Sequence, residues 1–428
     1  MQYLSYTLLF FSLILISFSN SYAQHKNILI SNKNDPEEIT ICINPKNPNI
    51  IIAAANTENY YFSSDTGKTW RSEIIKSSHG VWGDPCLIID SLENFYYFHL
   101  SKSKSGNPYD RLVCQKSYNK GVSWSNGTYF GLNGSLSQDK EWAAIDPKSN
   151  FIYATWTEQK KKLYRNSQKV VTDILVSVSK DVGKTWSDGL KINEISGSDF
   201  KSWRTVIGAM PAIGPKGEVF ATWVSNEGIF FDKSIDSGKT WIDKDTRVAN
   251  IANSWSIKIP GVYRSYVFPI IACDISNSLF HGDLYITWAD QIDERKNTDI
   301  WISKSTNLGL SWSKPVKVNN DSTNHHQYSP WITIDQANGN IYIVFYDRRN
   351  HQDNKTDVFI AKSTDGGQTF TNFIISERFF TPNSYTFMGD YIGIAAFNNI
   401  VRPVWTSIND HSKLSVWTAI INTKEMKK

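Results

Sequence analysis

Cysteine is scarce in this 428-residue chain, and none of it is spaced for metal. The four cysteines, Cys42, Cys86, Cys114 and Cys273, stand far apart in strand-like apolar runs. They are expected to be buried small hydrophobes rather than disulfide partners. Without CxxC or Cys/His spacing, no zinc site is expected. A charge excess of either sign is also missing: 45 basic residues stand against 41 acidic ones, a net +4. That balance excludes the electrostatic footprint of a nucleic-acid binder. The basic residues are scattered apart from Lys160, Lys161 and Lys162, expected as a solvated loop, and Lys427 and Lys428 in a frayed tail. Long apolar runs are absent after the first, which covers 8–18 and is followed by Ser21-Tyr22-Ala23 before Gln24. Residues 1–23 read as a secretory signal peptide. With no cysteine after the cleavage site and no later stretch of about 18 apolar residues, no lipid anchor and no membrane span are expected in the mature chain. The expected location is secreted, periplasmic or cell-surface. Four N-x-[ST] sequons, at Asn126, Asn133, Asn320 and Asn354, matter in a host that glycosylates exported proteins.

What the chain does contain is one eight-residue phrase, six times. Its cleanest copy is Ser63-Ser-Asp65-Thr-Gly67-Lys-Thr69-Trp70. It returns at Ser179–Trp186, Ser234–Trp241 and Ser363–Phe370, and with Asn and Ser substituted at Ser117–Trp124 and Ser305–Trp312. The pattern is S-x-[DN]-x-G-x-[ST]-[WF]. Asp or Asn folds back onto nearby backbone N–H groups, Gly takes positive φ, and the aromatic packs the turn onto an apolar layer. Six copies of a stapled hairpin turn mark a repeat protein.

A second element recurs upstream and occurs seven times. It is an apolar strand, usually closed by an Asx or Pro turn, followed by another apolar strand. The pairs are 39–43 with 50–55, 84–89 with 95–100, 141–145 with 151–156, 210–213 with 219–224, 268–273 with 284–288, 330–334 with 341–346, and 390–396 with 401–405. The first strand of each pair is apolar on both faces, as a doubly buried strand must be. A third strand then runs into the stapled turn and a fourth leaves it. Four antiparallel strands per unit of roughly 50–70 residues make a propeller blade. The seventh unit lacks the stapled turn, and 26–31 is an orphan strand before the first unit. This strand is expected to complete blade seven and close the ring, which removes exposed edges. The expected fold is all-β: a seven-bladed propeller of four-stranded antiparallel blades in one domain over 24–428, with six blades as the competing count.

The six phrases resemble the Asp-box (BNR) repeats of the sialidase superfamily, over essentially the whole mature chain. Further phrases resemble secreted bacterial proteins of that type: Lys140-Glu141-Trp142, Ser329-Pro-Trp331, Phe345-Tyr-Asp347-Arg348-Arg349 and Gly389-Asp390-Tyr391. The resemblance implies a glycosidase of exo-α-sialidase type, or a polysaccharide lyase or non-catalytic receptor on the same scaffold. It also implies that the boxes lie on the outer rim and the ligand at the central funnel. One departure counts against sialidase chemistry: the Arg-containing motif expected near the first inner strand is replaced by Glu37-Glu38-Ile39. Function therefore has to come from the funnel residues.

The funnel mouth is built from residues just before each inner strand and just after each second strand. These include His79, Asp84, Asp139, Glu141, Arg204, Arg264, Tyr266, His325, His326, Tyr328, Asp347, Arg348, Asp390 and Tyr391. Arginine forks suit carboxylates or sulfates. Arg204, Arg264 and Arg348, with Tyr328 and Asp347, are therefore the candidate substrate-binding set. Asp84 and Glu141 are the candidate acid/base pair. Asp390 beside Tyr391 is the candidate for a tyrosine nucleophile. A lyase would use His325, His326 or Tyr328 as base. Asp84, Asp390 and Asp347 have an alternative as strand caps or ion-pair partners. Trp142, Trp223, Trp288, Trp331 and Trp405 are expected between blades. No cofactor and no catalytic metal are expected, although the acidic mouth leaves room for a structural calcium. The expected partner is an acidic glycan, sialic acid- or uronate-type, bound to a monomer. A non-catalytic glycan- or protein-binding propeller is the alternative.

Overall fold

The computed structural model describes residues 25–103, 109–134, 136–164, 167–198, 205–252, 255–291, 297–421, 423 and 426; the segment 1–23 and Arg204 lie outside these. The described chain forms seven four-stranded antiparallel blades, the first six running from an inner strand outward in chain order. The inner strands are Thr40–Ile43, Gly83–Ile89, Ser137–Ile145, Val206–Ile213, Ile270–Cys273, Gln327–Asp335 and Gly393–Phe397. Each blade packs on the next, and the inner strand of the seventh packs on that of the first. Closure comes as the orphan strand implied. Lys26–Ser31 pairs antiparallel with Leu414–Ile420 and supplies the fourth strand of blade seven.

Two features depart from the sequence-based expectation. Blade three is extended by a long hairpin, Ile152–Tyr164 with Ser167–Ser179, so Lys160 to Lys162 lie on a strand rather than in a loop. Lys160 is held there by ion pairs to Glu158 at 2.9 Å and Asp173 at 3.5 Å. A two-stranded insertion, Ser256–Ile257 with Ser265–Tyr266, stands between blades four and five. It carries Arg264 toward the funnel.

The repeated phrase works as a turn and as a clasp. In the first copy Ser63 Oγ donates to Asp65 Oδ1 (2.8 Å) and accepts from Gly67 N (2.8 Å). Asp65 also accepts from the amides of Lys68 and Thr69 and from Thr69 Oγ1. Each box glycine then lies against the preceding blade: Gly121 on Ile52, Gly183 on Tyr96, Gly309 on Phe231. Gly309 has φ +78°, and a β-carbon there would overlap the Phe231 ring. Gly309→Ala is expected to destabilise by about 2–4 kcal/mol, from backbone strain plus overpacking. Gly134→Ala is the control. Its φ is +61° but nothing lies within 4 Å of the added carbon, so about 1 kcal/mol is expected. Chemical denaturation of the two variants measures the difference.

The core is blade-on-blade packing of aromatic and aliphatic side chains. Trp156, Trp223 and Trp288 are fully buried on second strands. Trp142 and Trp331 differ from their expected place between blades. They meet near the ring axis with Phe268 and Tyr391, ring centroids 5.7–6.1 Å apart. Four blades thus contribute one aromatic plug, each pair adding about 0.5–1.5 kcal/mol beyond burial. The four cysteines are free, with Cys86, Cys114 and Cys273 buried.

Candidate functional site

Four inner strands carry a bulge at the funnel end. The irregularities fall at Gly83/Cys86, Asp139/Trp142, Ile207/Met210 and Tyr328/Trp331. One backbone position recurs here. It stands six residues ahead of the turn residue that closes the inner strand: Glu38 before Asn44, Asp84 before Asp90, Lys140 before Asp146, Gly208 before Gly214 and Ser329 before Asp335. All five have positive φ: 54°, 54°, 53°, 77° and 52°. Only Gly208 takes that conformation without strain, which costs the others roughly 1 kcal/mol each. The strain turns Glu38, Asp84 and Lys140 of three successive blades inward to one place, where Asp390 of blade seven joins them.

Lys140 is the centre of this floor. Its ammonium lies 2.8 Å from Asp84 Oδ2, 2.9 Å from Asp390 Oδ2 and 3.2 Å from Glu38 Oε1, and its side chain is 7% exposed. Asp390 is also gripped by Arg264, whose Nε and Nη2 donate at 2.6 and 2.7 Å. Asn56 completes the network: it donates to Glu38 Oε2 (2.7 Å) and to Glu37, and accepts from Asp84 N (2.6 Å). Above the floor opens a funnel of about 740 Å³. Half-buried Glu37 and Asp139 face into it, and Trp82, Tyr109, Trp255, Tyr266 and Phe387 form its aromatic walls.

The floor drives the carboxyls apart in acidity. Burial, then the charge of Asp84, raises Glu37 to about 8. Burial and the charges of Asp84 and Asp390 raise Asp139 to about 6, although Lys140 opposes them. Burial and Asp84 also push Glu38 well up. Asp84 goes the other way: against burial, the Lys140 charge and hydrogen bonds from Glu38 and Lys140 hold it down to about 2. Burial would discharge Lys140, but Asp390, Asp84 and Glu38 keep its ammonium charged and its pKa well above the usual lysine value.

A stability profile follows from these shifts. Between pH 4.5 and about 8 the folded chain keeps the Glu37 proton that the unfolded chain has lost, so raising the pH favours unfolding. Asp139 acts in the same direction between 3.8 and about 6. Asp84 acts oppositely, its contribution being lost as pH falls from 3.8 toward 2. The urea midpoint is therefore expected to be higher at pH 5 than at pH 8.

The expected site residues separate into two groups. Asp84, Asp390 and Arg264 come together in the floor. Glu141 lies behind it, 2% exposed, with no hydrogen-bond partner for either oxygen among the described residues, and burial raises its pKa well above the usual range. Tyr391 is in the aromatic plug and its hydroxyl donates to Pro85 O at 3.2 Å. Tyr328 is buried against Thr356 Oγ1 (3.3 Å). Asp347 is fully buried in a two-point pair with Arg349, Nε and Nη2 each at 2.7 Å. Arg348 is 2% exposed and donates to Pro260 O, Asn354 Oδ1 and Thr356 Oγ1. Arg264 and Arg348 thus address different partners, and Arg204 lies outside the described residues. Among the described residues no group of three or more His, Cys, Asp or Glu is placed to hold a metal ion. Where a calcium would neutralise the acidic floor, Lys140 already does so.

The candidate set that the sequence offers does not include Glu37, Glu38, Asn56 or Lys140. One signal was present for Lys140: it stands at the same offset from its turn residue as Glu38 and Asp84.

No family model matches the chain. A curated relative, the photosystem II assembly protein Ycf48 of Synechococcus sp. (strain JA-3-3Ab), is 25% identical over 176 residues, 36% of this chain; the match spans half the length of that relative. Among solved structures, the NanB sialidase of Streptococcus pneumoniae superposes with a TM-score of 0.50 at 10% identity, covering 87% of this chain and 84% of that one. An alpha-L-arabinofuranosidase of Fusarium graminearum gives 0.52 at 12% identity, covering 80% and 94%. These likenesses establish a sialidase-like propeller fold. No helix among the described residues is long and apolar enough to cross a membrane.

Proposed function

We propose that the funnel is a glycoside hydrolase site in which the sugar unit at the floor is uncharged. The observation that carries this reading is the pair of half-exposed carboxyls, Glu37 and Asp139, set in an aromatic-walled funnel over an ion-paired floor. A glycosidase needs one carboxyl that still holds a proton and another that has lost it. Glu37, raised to about 8, is the proton donor to the leaving oxygen. Asp139, raised to about 6, is the base that takes a proton from the attacking water. Asp84 and Lys140 are fixed charges that position and polarise rather than exchange protons, and Asp390 ties Lys140 to Arg264. An anionic sugar on the floor is disfavoured. With Glu37 and Glu38 holding their protons, Asp84, Asp139 and Asp390 still outnumber Lys140 and Arg264, and both cations are already paired with carboxylates. The acidic-glycan expectation is thus narrowed at the point of cleavage. Export through the apolar segment 8–18 belongs to the same proposal.

A panel of neutral aryl glycosides and neutral polysaccharides tests it. Release of the aryl group or of reducing ends is expected for at least one. No release from any of them would sink the hydrolase reading. A second reading, a propeller that binds without turnover, has its own support. Three floor carboxylates are closed on Lys140, and the curated relative carries the name of an assembly protein. Saturable oligosaccharide binding with no product over days would favour it.

A further inference from the structure

Beside the funnel lies a second cavity of about 420 Å³, of opposite character. Its lining includes His79, Lys102 and Arg111 and contains no carboxylate among the described residues. Lys102 borders both cavities, so the two share a wall. On the funnel side of that wall stands Trp82, 42% exposed, with the Lys102 ammonium 5.8 Å from its ring and Tyr109 5.7 Å away.

The cavity is preformed. Lys102 N donates to His79 O at 3.0 Å, locking the loop before blade two to the loop after its second strand. Gly80, φ +70°, allows that approach, since a β-carbon there would sit 2.5 Å from Lys102 O. Arg111 is fixed by two 2.8 Å hydrogen bonds to Asp110 and lies 4.9 Å over the Tyr129 ring, which makes an edge contact with His79 at 5.2 Å between ring centroids. Lys102 has no ion pair among the described residues. Asp110 takes up the Arg111 charge, leaving its Nη1 as a donor, and burial, then the Arg111 charge, lowers His79 below the usual imidazole value, so among the described residues the unpaired positive charge of the pocket is that of Lys102.

We propose that this pocket receives a sulfate or carboxylate borne by the sugar unit next to the one on the funnel floor, with that neighbouring ring stacked on Trp82. Cleavage of such a chain rests on the hydrolase reading above; its binding does not. The ligand would then be an anionic glycan whose uncharged unit sits on the acidic floor. A guanidinium and an ammonium donate charge-assisted hydrogen bonds to either anion, and an exposed indole face suits a sugar ring.

Calorimetry with the full chain tests this, using three oligosaccharides of one backbone: sulfated on one unit, carrying a uronate at that unit, and uncharged. At least one charged probe is expected to bind about tenfold more tightly than the uncharged one, and comparison of the two charged probes tells sulfate from carboxylate. Lys102→Gln, an exposed change that spares the fold, is expected to reduce that margin about five- to tenfold. Glu37→Gln is expected to leave it intact. Equal affinity for all three probes, no binding of either charged probe, or a margin untouched by Lys102→Gln overturns the proposal. A margin seen without hydrolysis in any assay removes the glycosidase reading and leaves the pocket standing. Hydrolysis with no margin does the reverse.

Discussion

Lys140→Met is expected to lower the unfolding free energy by about 3–5 kcal/mol, the cost of leaving a buried charge network without its partner. The size follows from the geometry. One ammonium, 7% exposed, touches Glu38, Asp84 and Asp390 within 3.2 Å, while Asp390 alone has a second cation in Arg264. Methionine fills the volume but removes the charge. Asp84 is then buried with the hydrogen bond from Glu38 but without the Lys140 charge beside it, so its folded pKa rises. Two further readings separate this cause from simple misfit. The deficit shrinks as pH falls below about 4, because the stranded carboxyls take up protons. Adding Asp84→Asn to Lys140→Met recovers part of the loss, because the two changes act on one pair. Urea denaturation at pH 7 and pH 4 on the single and double variants measures both. An equal deficit at the two pH values would mean that the lysine contributes packing rather than charge.

Glu37→Gln is expected to reduce turnover of a neutral glycoside by about 10²–10⁴-fold, the usual contribution of a positioned general acid. Glutamine keeps the contact with Asn56 Nδ2, 3.2–3.3 Å in the parent chain, so oligosaccharide affinity is expected to stay within a few-fold. The substitution has a second signature that needs no substrate. Glu37 is raised from 4.5 to about 8, so the parent chain loses stability across that range as pH rises. The variant has no such proton to hold, and its stability curve is flatter between pH 5 and 8. A variant that loses activity while its stability curve keeps the parent's slope would place the raised carboxyl elsewhere in the floor.

The scaffold was legible because its information is local. Ser63, Asp65, Gly67 and Thr69 make their hydrogen bonds to one another, so eight residues suffice to recognise the turn. The apolar inner strands, counted separately, raise the blade number from six to seven. Asp84, Asp390 and Arg264 were reached by reasoning about which loop ends face the axis. The remainder depended on what ring closure brings together. Arg348 and Asp347 look like funnel groups in the sequence, but find partners in Pro260, Asn354 and Arg349. Lys140 looks like a surface lysine until Glu38, 102 residues earlier, is folded against it. Glu37 has no motif at all. Its role comes from the depth of the floor and from the Asp84 charge, neither of which a linear pattern records. Trp142 and Trp331 follow blade periodicity, but the bulge in each inner strand carries them to the axis rather than between blades.

The most direct test is the pH dependence of kcat/KM for a neutral aryl glycoside, measured from pH 5 to 9 on the parent chain and on Glu37→Gln. The parent is expected to lose activity as pH rises through about 8, the pH at which Glu37 gives up its proton. The variant is expected to be at least about a hundredfold slower, with that falling limb gone. A parent chain with no turnover across the range, or a variant that keeps both its rate and the limb near pH 8, would contradict the assignment of the funnel as a glycosidase site driven by Glu37.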